Sequence, residues 1–212
     1  MDPLTAPYFP IIYVRGYAMT PSEIAATVAT PYMGFNLGST KVRQAWDGTV
    51  LRHVFESPLV RLMKDYGYRD TYSNGVEISG EIPTRSVVIY RYYDPADSDL
   101  GSGKALSIVE AAQGLKALLH QVRDQVCGDD AERQQAFRVH LVAHSMGGLV
   151  CRSFLQNDAI STAQDRAMVD KVFTYATPHN GIEMAGFNVP AVLGLWDMNN
   201  FNRKTMAGYL GL

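Results

Sequence analysis

The run Val139–Leu155, VHLVAHSMGGLVCRSFL, passes from a strand pattern to a helix pattern with no linker between them. Val139, Leu141, Val142 and Ala143 form the nearly continuous apolar centre of a strand buried on both faces of a parallel sheet. From Met146 to about Gln156 the pattern is helical. A strand that turns directly into a helix leaves one residue at the corner, here Ser145, and crowds its own backbone. Small residues are therefore wanted two positions before and two after, and Ala143 and Gly147 stand there. Gly148 thins the helix further where it approaches the strand.

Three more strands are expected, at Pro10–Gly16 (PIIYVRG), Arg85–Asp94 (RSVVIYRYYD) and from Asp170 (DKVFTYATP). The clearest helix runs from Ser107 to Val126. Ile108, Ala111, Ala112, Leu115, Leu118, Leu119, Val122 and Val126 form its apolar stripe, Ser107 and Glu110 have capping-box spacing, and Gly128 follows its end. Shorter helices are expected near Ser22–Ala29 and Leu59–Tyr66. Strands alternating with helices predict an α/β fold, a mostly parallel sheet with helices on both faces, in a single domain over residues 1–212. Pro31–Val50 and Tyr72–Pro83, the latter with Asn74-Gly75, read as irregular or hairpin-like insertions.

Composition narrows the functions open to such a fold. A net charge of -2 with dispersed basic residues disfavours nucleic acid and anionic membranes as partners. No apolar run reaches the ~18 residues of a membrane helix. The start, MDPLTAPYFPIIYV, is acidic and proline-broken, unlike a signal peptide, so the expected location is cytoplasmic. Cys127 and Cys151 make neither a disulfide framework nor a metal site, and Cys151 reads as a buried thiol of the second helix. LGSGKAL at Leu100 fails the phosphate-loop pattern at Ser98 and Ala105, and DPADSDLG from Asp94 lacks calcium-loop spacing.

A serine at such a corner has a chemical use. Its hydroxyl is a weak nucleophile that needs a base for its proton and donors for a developing oxyanion. The corner lifts it to the end of the sheet, and the Met146 amide lies at a helix N-terminus, where negative charge is favoured. Simple helix capping by Ser145 would not explain Ala143, Gly147 and Gly148 around it.

AHSMGG resembles the nucleophile elbow of the α/β-hydrolases, in their lipase and esterase branch, with Ala143 where Gly is common. VRGYAMT after the first strand resembles the oxyanion loop of that family, with Arg15 in place of a histidine, and TPHNG (Thr177–Gly181) resembles the segment after the next strand in many lipases. The resemblance implies Ser145 as nucleophile, the amides of Tyr17 and Met146 as oxyanion donors, ester hydrolysis through an acyl-enzyme, and no metal or organic cofactor. Arg15 has a binding and a structural reading, and His144 is expected to point away from the serine into a packing contact.

The family order is Ser, acid, His, and His179 is the one histidine after Ser145. Asp158, Asp165 and Asp170 lie between them. Asp170, however, opens the fourth strand while His179 follows its end, roughly 20 Å away at about 3.3 Å per residue. Glu183 and Asp197 are weaker acid candidates. His179 is thus a candidate base, but the resemblance places base and acid on later loops, so the last strands of the fold are expected beyond Leu212. The fourth strand would then be an open edge requiring cover by further chain, a partner or a second copy. Gly181–Asn202, apolar and broken by Gly and Pro, resembles a lid over the site or packs across the sheet. A different class stays open beside the ester hydrolase: a non-catalytic α/β-hydrolase-like scaffold or binding subunit that lacks acid and base. Acyl transfer to an acceptor other than water is a third.

Overall fold

The computed structural model describes residues 3–16, 18, 20–73, 76–184, 187–188 and 200–212. In chain order the elements are β1 (Ile11–Val14), α1 (Pro21–Val28), β2 (Ser39–Gln44), β3 (Val50–Phe55), α2 (Pro58–Tyr66), β4 (Arg69–Asp70), β5 (Tyr72–Ser73), β6 (Val76–Glu77) and β7 (Ser86–Tyr90). There follow α3 (Ile108–Cys127), α4 (Ala131–Ala136), β8 (Val139–His144), α5 (Met146–Gln156), α6 (Ala163–Ala167), β9 (Val169–Tyr175), β10 (Glu183–Met184), β11 (Phe187–Asn188) and α7 (Arg203–Leu210).

Five strands form one sheet in the order β4-β7-β1-β8-β9, and every pair in it is parallel. From β1 the chain turns to one side to reach β7, whereas from β8 it turns to the other side to reach β9. The C-terminal ends of β1 and β8 therefore flank the point where the winding reverses. In an open parallel sheet such a point is the usual ligand position.

Register sorts the two faces. Val14 pairs with Tyr90 and with Ala143, so these three point to one side. That side carries α3, since the Tyr90 hydroxyl donates to the Ala111 carbonyl at 2.7 Å, and α3 packs in turn on α5. Leu115, Leu119, Val122, Leu141, Leu149 and Phe154 are fully buried between these layers. The α3 stripe is the expected one, opened by the Ser107–Glu110 capping box. On the opposite face Tyr13 meets the ring of Phe35 at 4.8 Å, from the segment that follows α1.

Several expectations are refined. The stretch Pro31–Val50 holds the antiparallel pair β2–β3, which runs past Val50 to Phe55. β5 and β6 pair across Asn74-Gly75, which lies outside the described residues. Among the described residues β9 is the open sheet edge that was expected of the fourth strand, and its apolar Val172, Phe173 and Tyr175 are exposed. Of the expected lid, residues 185–186 and 189–199 lie outside the described residues. Among the described residues β10 and β11 pair only with each other. Beyond them α7 returns to α5, where the buried Ser153 hydroxyl donates to the Tyr209 carbonyl at 2.6 Å.

Candidate active site

Ser145 closes β8 and stands at the N-cap of α5 with φ 52° and ψ -125°. A non-glycine residue in that left-handed region costs about 1–3 kcal/mol and persists only where its surroundings enforce it. Here the Ser145 amide donates to the Tyr175 carbonyl at 2.9 Å, and its carbonyl accepts from Gly148 at 3.1 Å. The hydroxyl makes no capping hydrogen bond, so helix capping is not its role. It makes no hydrogen bond to any other described residue, and the side chain is half-buried.

Three glycines make the corner possible. A Cβ on Gly16, just past β1, would lie 2.6 Å from Ser145 Cβ and 3.0 Å from the His144 carbonyl. A Cβ on Gly147 would stand 2.5 Å from the Arg15 carbonyl, and one on Gly148 would stand 2.6 Å from Thr177 Cγ2. The loop after β1 and the TPHNG segment thus each pack closely against the elbow and its helix. These are the three segments that the sequence singled out. Met146 opens α5 and is buried, so its amide is one of the first-turn donors that helical geometry leaves free. Tyr17 lies outside the described residues.

The loop after β1 is held by two residues that sequence reasoning passed over. The Tyr92 hydroxyl donates to the Arg15 carbonyl at 2.7 Å, and the Ala18 amide donates to the Tyr93 hydroxyl at 3.0 Å. Both tyrosines are buried, and the signal was the aromatic run RYYDP at the end of the second strand segment. Arg15 donates through Nη1 to the Met33 carbonyl at 2.6 Å and faces Glu23 at 3.9 Å, so it ties the loop to the segment after α1. His144 stacks on Tyr175, with ring centroids 5.0 Å apart, in the packing role expected of it. Burial, helped by the Arg15 cation, pushes its imidazole below the ordinary range.

The other candidates do not gather at Ser145. His179 is exposed, its Nε2 is 3.0 Å from Thr174 Oγ1, and its carbonyl accepts from Arg152 at 2.7 Å. Partial burial and the Arg152 cation lower its pKa. Asp170 lies 3.5 Å from His140 Nδ1, at the opposite end of β9 from His179. Asp158 pairs with Arg166 at 2.8 Å. Asp165 is buried beneath α3, where Lys116 reaches it at 2.9 Å and His120 at 2.7 Å. Glu183 falls in β10, and Asp197 lies outside the described residues. Cys151 is fully buried, as expected, and burial raises its thiol to about 12. Among the described residues no cluster of His, Cys, Asp and Glu could hold a metal ion, and no helix is long and apolar enough to cross a membrane.

A parallel sheet with flanking helices, its winding reversed beside a strand–serine–helix corner, is a doubly wound α/β fold. Residues 100–194, which span α3, β8, the elbow and β9, match the family model of the PGAP1-like alpha/beta domain. No curated protein matches the chain. Among solved structures it is similar to a candidate cell surface hydrolase of Lactobacillus plantarum WCFS1, with 16% identity, TM-score 0.36, and coverage of 92% of this chain and 62% of that one. A Listeria innocua gene product is similar at 11% identity and TM-score 0.34, covering 92% of this chain and 65% of that one. The chain thus spans somewhat less than two thirds of the length of either structure.

Proposed function

We propose that Ser145 is the nucleophile of a carboxylic ester hydrolase acting on lipid or other acyl esters. The observation that carries this reading is the hydroxyl, bonded to no other described residue, of a residue held at φ 52° at the end of β8, with Gly16 from the loop after β1 against its Cβ. Strain kept at one half-buried residue whose hydroxyl bonds to no other described residue suits a reacting group better than a structural one. In this reading Ser145 Oγ attacks the ester carbonyl and loses its proton to a base. The amides of Met146 and Tyr17 receive the oxyanion, the alcohol leaves with a proton, and water cleaves the acyl-serine to free acid. His179 is the candidate base within this sequence, and reaching Ser145 would require its release from Thr174.

The test is hydrolysis of p-nitrophenyl esters of graded acyl length by the protein, by Ser145→Ala and by His179→Ala. Turnover lost in Ser145→Ala supports the reading; turnover equal to that of the parent overturns it. Loss in His179→Ala as well would assign the base, whereas its survival would assign the base elsewhere.

A second reading is favoured by one observation. Asp158, Asp165 and Asp170 are each engaged away from His179, so no described carboxylate orients it. A scaffold that keeps the fold without acid and base would show this arrangement, and would give no turnover with any ester in the series.

A further inference from the structure

The β2–β3 hairpin is the least covered part of the described fold. All six residues of β3 are exposed, although a two-stranded ribbon is marginal in water without something packed against it. Val42 is opposite Arg52, which puts Val42, Val50 and Val54 on one face, while Lys41 opposite His53 and Arg43 opposite Leu51 lie on the other. Val54 is 78% and Val42 62% exposed. The tip is an ordered turn, closed by Ala45 N–H to the Thr49 carbonyl at 2.8 Å and by Thr49 N–H to Asp47 Oδ1 at 2.9 Å. It presents Trp46, whose exposure is 100%.

Charge identifies what such a surface fits. Residues 39–55 contain Lys41, Arg43 and Arg52 against the single acid Asp47, in a chain whose net charge is -2. The basic residues look dispersed along the sequence; the pairing of β2 with β3 gathers these three on one ribbon. Tryptophan together with Lys and Arg is the composition of a membrane–water interface, and clustered cations complement anionic headgroups. The arm is also rooted beside the site. The Ser57 hydroxyl bonds to the Phe35 carbonyl at its base, the Met33 carbonyl takes the Arg15 guanidinium, and Arg15 precedes Gly16, which abuts Ser145.

We propose that the β2–β3 hairpin docks the protein on an anionic lipid surface, tip first, with Trp46 in the interfacial layer and Lys41, Arg43 and Arg52 on the headgroups. For its purpose, bringing Ser145 to lipid esters, it rests on the ester-hydrolase reading; as a binding surface it stands separately.

The sequence has two tryptophans, so the full chain carrying Trp196→Phe reports on Trp46 alone. Vesicles of phosphatidylcholine with a quarter phosphatidylserine should co-sediment with it and shift Trp46 emission to shorter wavelength. Vesicles of phosphatidylcholine alone should bind at least tenfold more weakly. Removing a basic residue should weaken binding roughly fivefold, so Arg43→Glu, which also reverses the charge, should weaken it tenfold or more, as should Trp46→Ala in sedimentation of the otherwise native chain. No binding to the anionic vesicles, an unshifted Trp46 emission, or binding unchanged in both variants would overturn the proposal. So would lipid-free dimerisation that the same substitutions abolish, which would give the surface to a second copy. Fluorophosphonate labelling of Ser145 in the same lipid-free samples separates the two readings. Vesicle binding without labelling leaves the arm and removes the hydrolase; labelling without vesicle binding does the reverse.

Discussion

Gly16 and Ser145, far apart in sequence, lie so close that a methyl group on the glycine would stand 2.6 Å from the serine Cβ. The contact joins the ends of β1 and β8 at the point where the sheet reverses its winding. It fixes the nucleophile candidate against the loop that would supply an oxyanion donor. Gly16→Ala must therefore push the two segments apart. We expect a loss of about 1–3 kcal/mol of stability from the overpacking. We also expect labelling of Ser145 by a fluorophosphonate to slow at least ~100-fold, because a shift near 1 Å is enough to cost that much. Denaturant unfolding and labelling kinetics on the same preparation measure both.

The backbone strain at Ser145 predicts opposite effects on stability and chemistry. Glycine adopts φ 52° and ψ -125° without the steric cost that serine bears. Ser145→Gly should raise the unfolding free energy, by roughly 1 kcal/mol after the extra chain entropy of glycine is deducted, while abolishing labelling. Ser145→Ala should abolish labelling without that gain, since alanine keeps the Cβ that causes the strain. Thermal unfolding of the three proteins side by side distinguishes them.

Gly147 and Gly148 act through different neighbours. Gly147 abuts the Val14 and Arg15 carbonyls, which are backbone and cannot rotate away, whereas Gly148 abuts the side chain of Thr177. Gly147→Ala should thus cost several kcal/mol or prevent folding. Gly148→Ala should cost less, and Thr177→Ser, which removes Cγ2, should recover part of the loss. A double-mutant cycle by chemical denaturation checks the coupling.

Asp165 and His144 set the expected acid sensitivity. Burial raises the Asp165 carboxyl, but the Thr162 amide and hydroxyl, Lys116 and His120 more than offset this and hold it well below the ordinary carboxylate range. Its contribution is present above the unfolded value of about 3.9 and is lost as pH falls toward the folded one. His144 is a base whose folded pKa is depressed, chiefly by burial. The unfolded chain takes up that proton first, so stability should decline as pH falls below about 6.5. His144→Gln should flatten the decline between pH 7 and 5, and Asp165→Asn should flatten it below pH 4 while lowering stability at pH 7 by about 2 kcal/mol. Urea midpoints across pH 3–8 read both.

Much of this architecture was legible because its elements carry strong local signals. The α3 stripe and its capping box, the apolar run of β8, and the small residues around Ser145 each leave few alternatives. Three short helices also carried signals that went unread. Asp130 caps α4, Thr162 and Asp165 form a capping box on α6, and α7 lies between the Asn202 cap and Gly211 at φ 73°. The aromatic run RYYDP marked Tyr92 and Tyr93, but the partners of their clamp on the loop after β1 were not readable, because hydroxyl-to-backbone bonds across more than seventy positions leave no periodic trace. β3 was missed because its residues, Val50 to Phe55, show neither clean alternation nor burial.

The central claim is that the Ser145 hydroxyl is a nucleophile, and covalent labelling tests it most directly. Intact-protein mass spectrometry of the naturally produced protein, before and after a fluorophosphonate probe, should show one adduct, mapped by peptide analysis to Ser145 and absent from Ser145→Ala. An unmodified mass after prolonged exposure, or an adduct that persists in Ser145→Ala, would contradict the account.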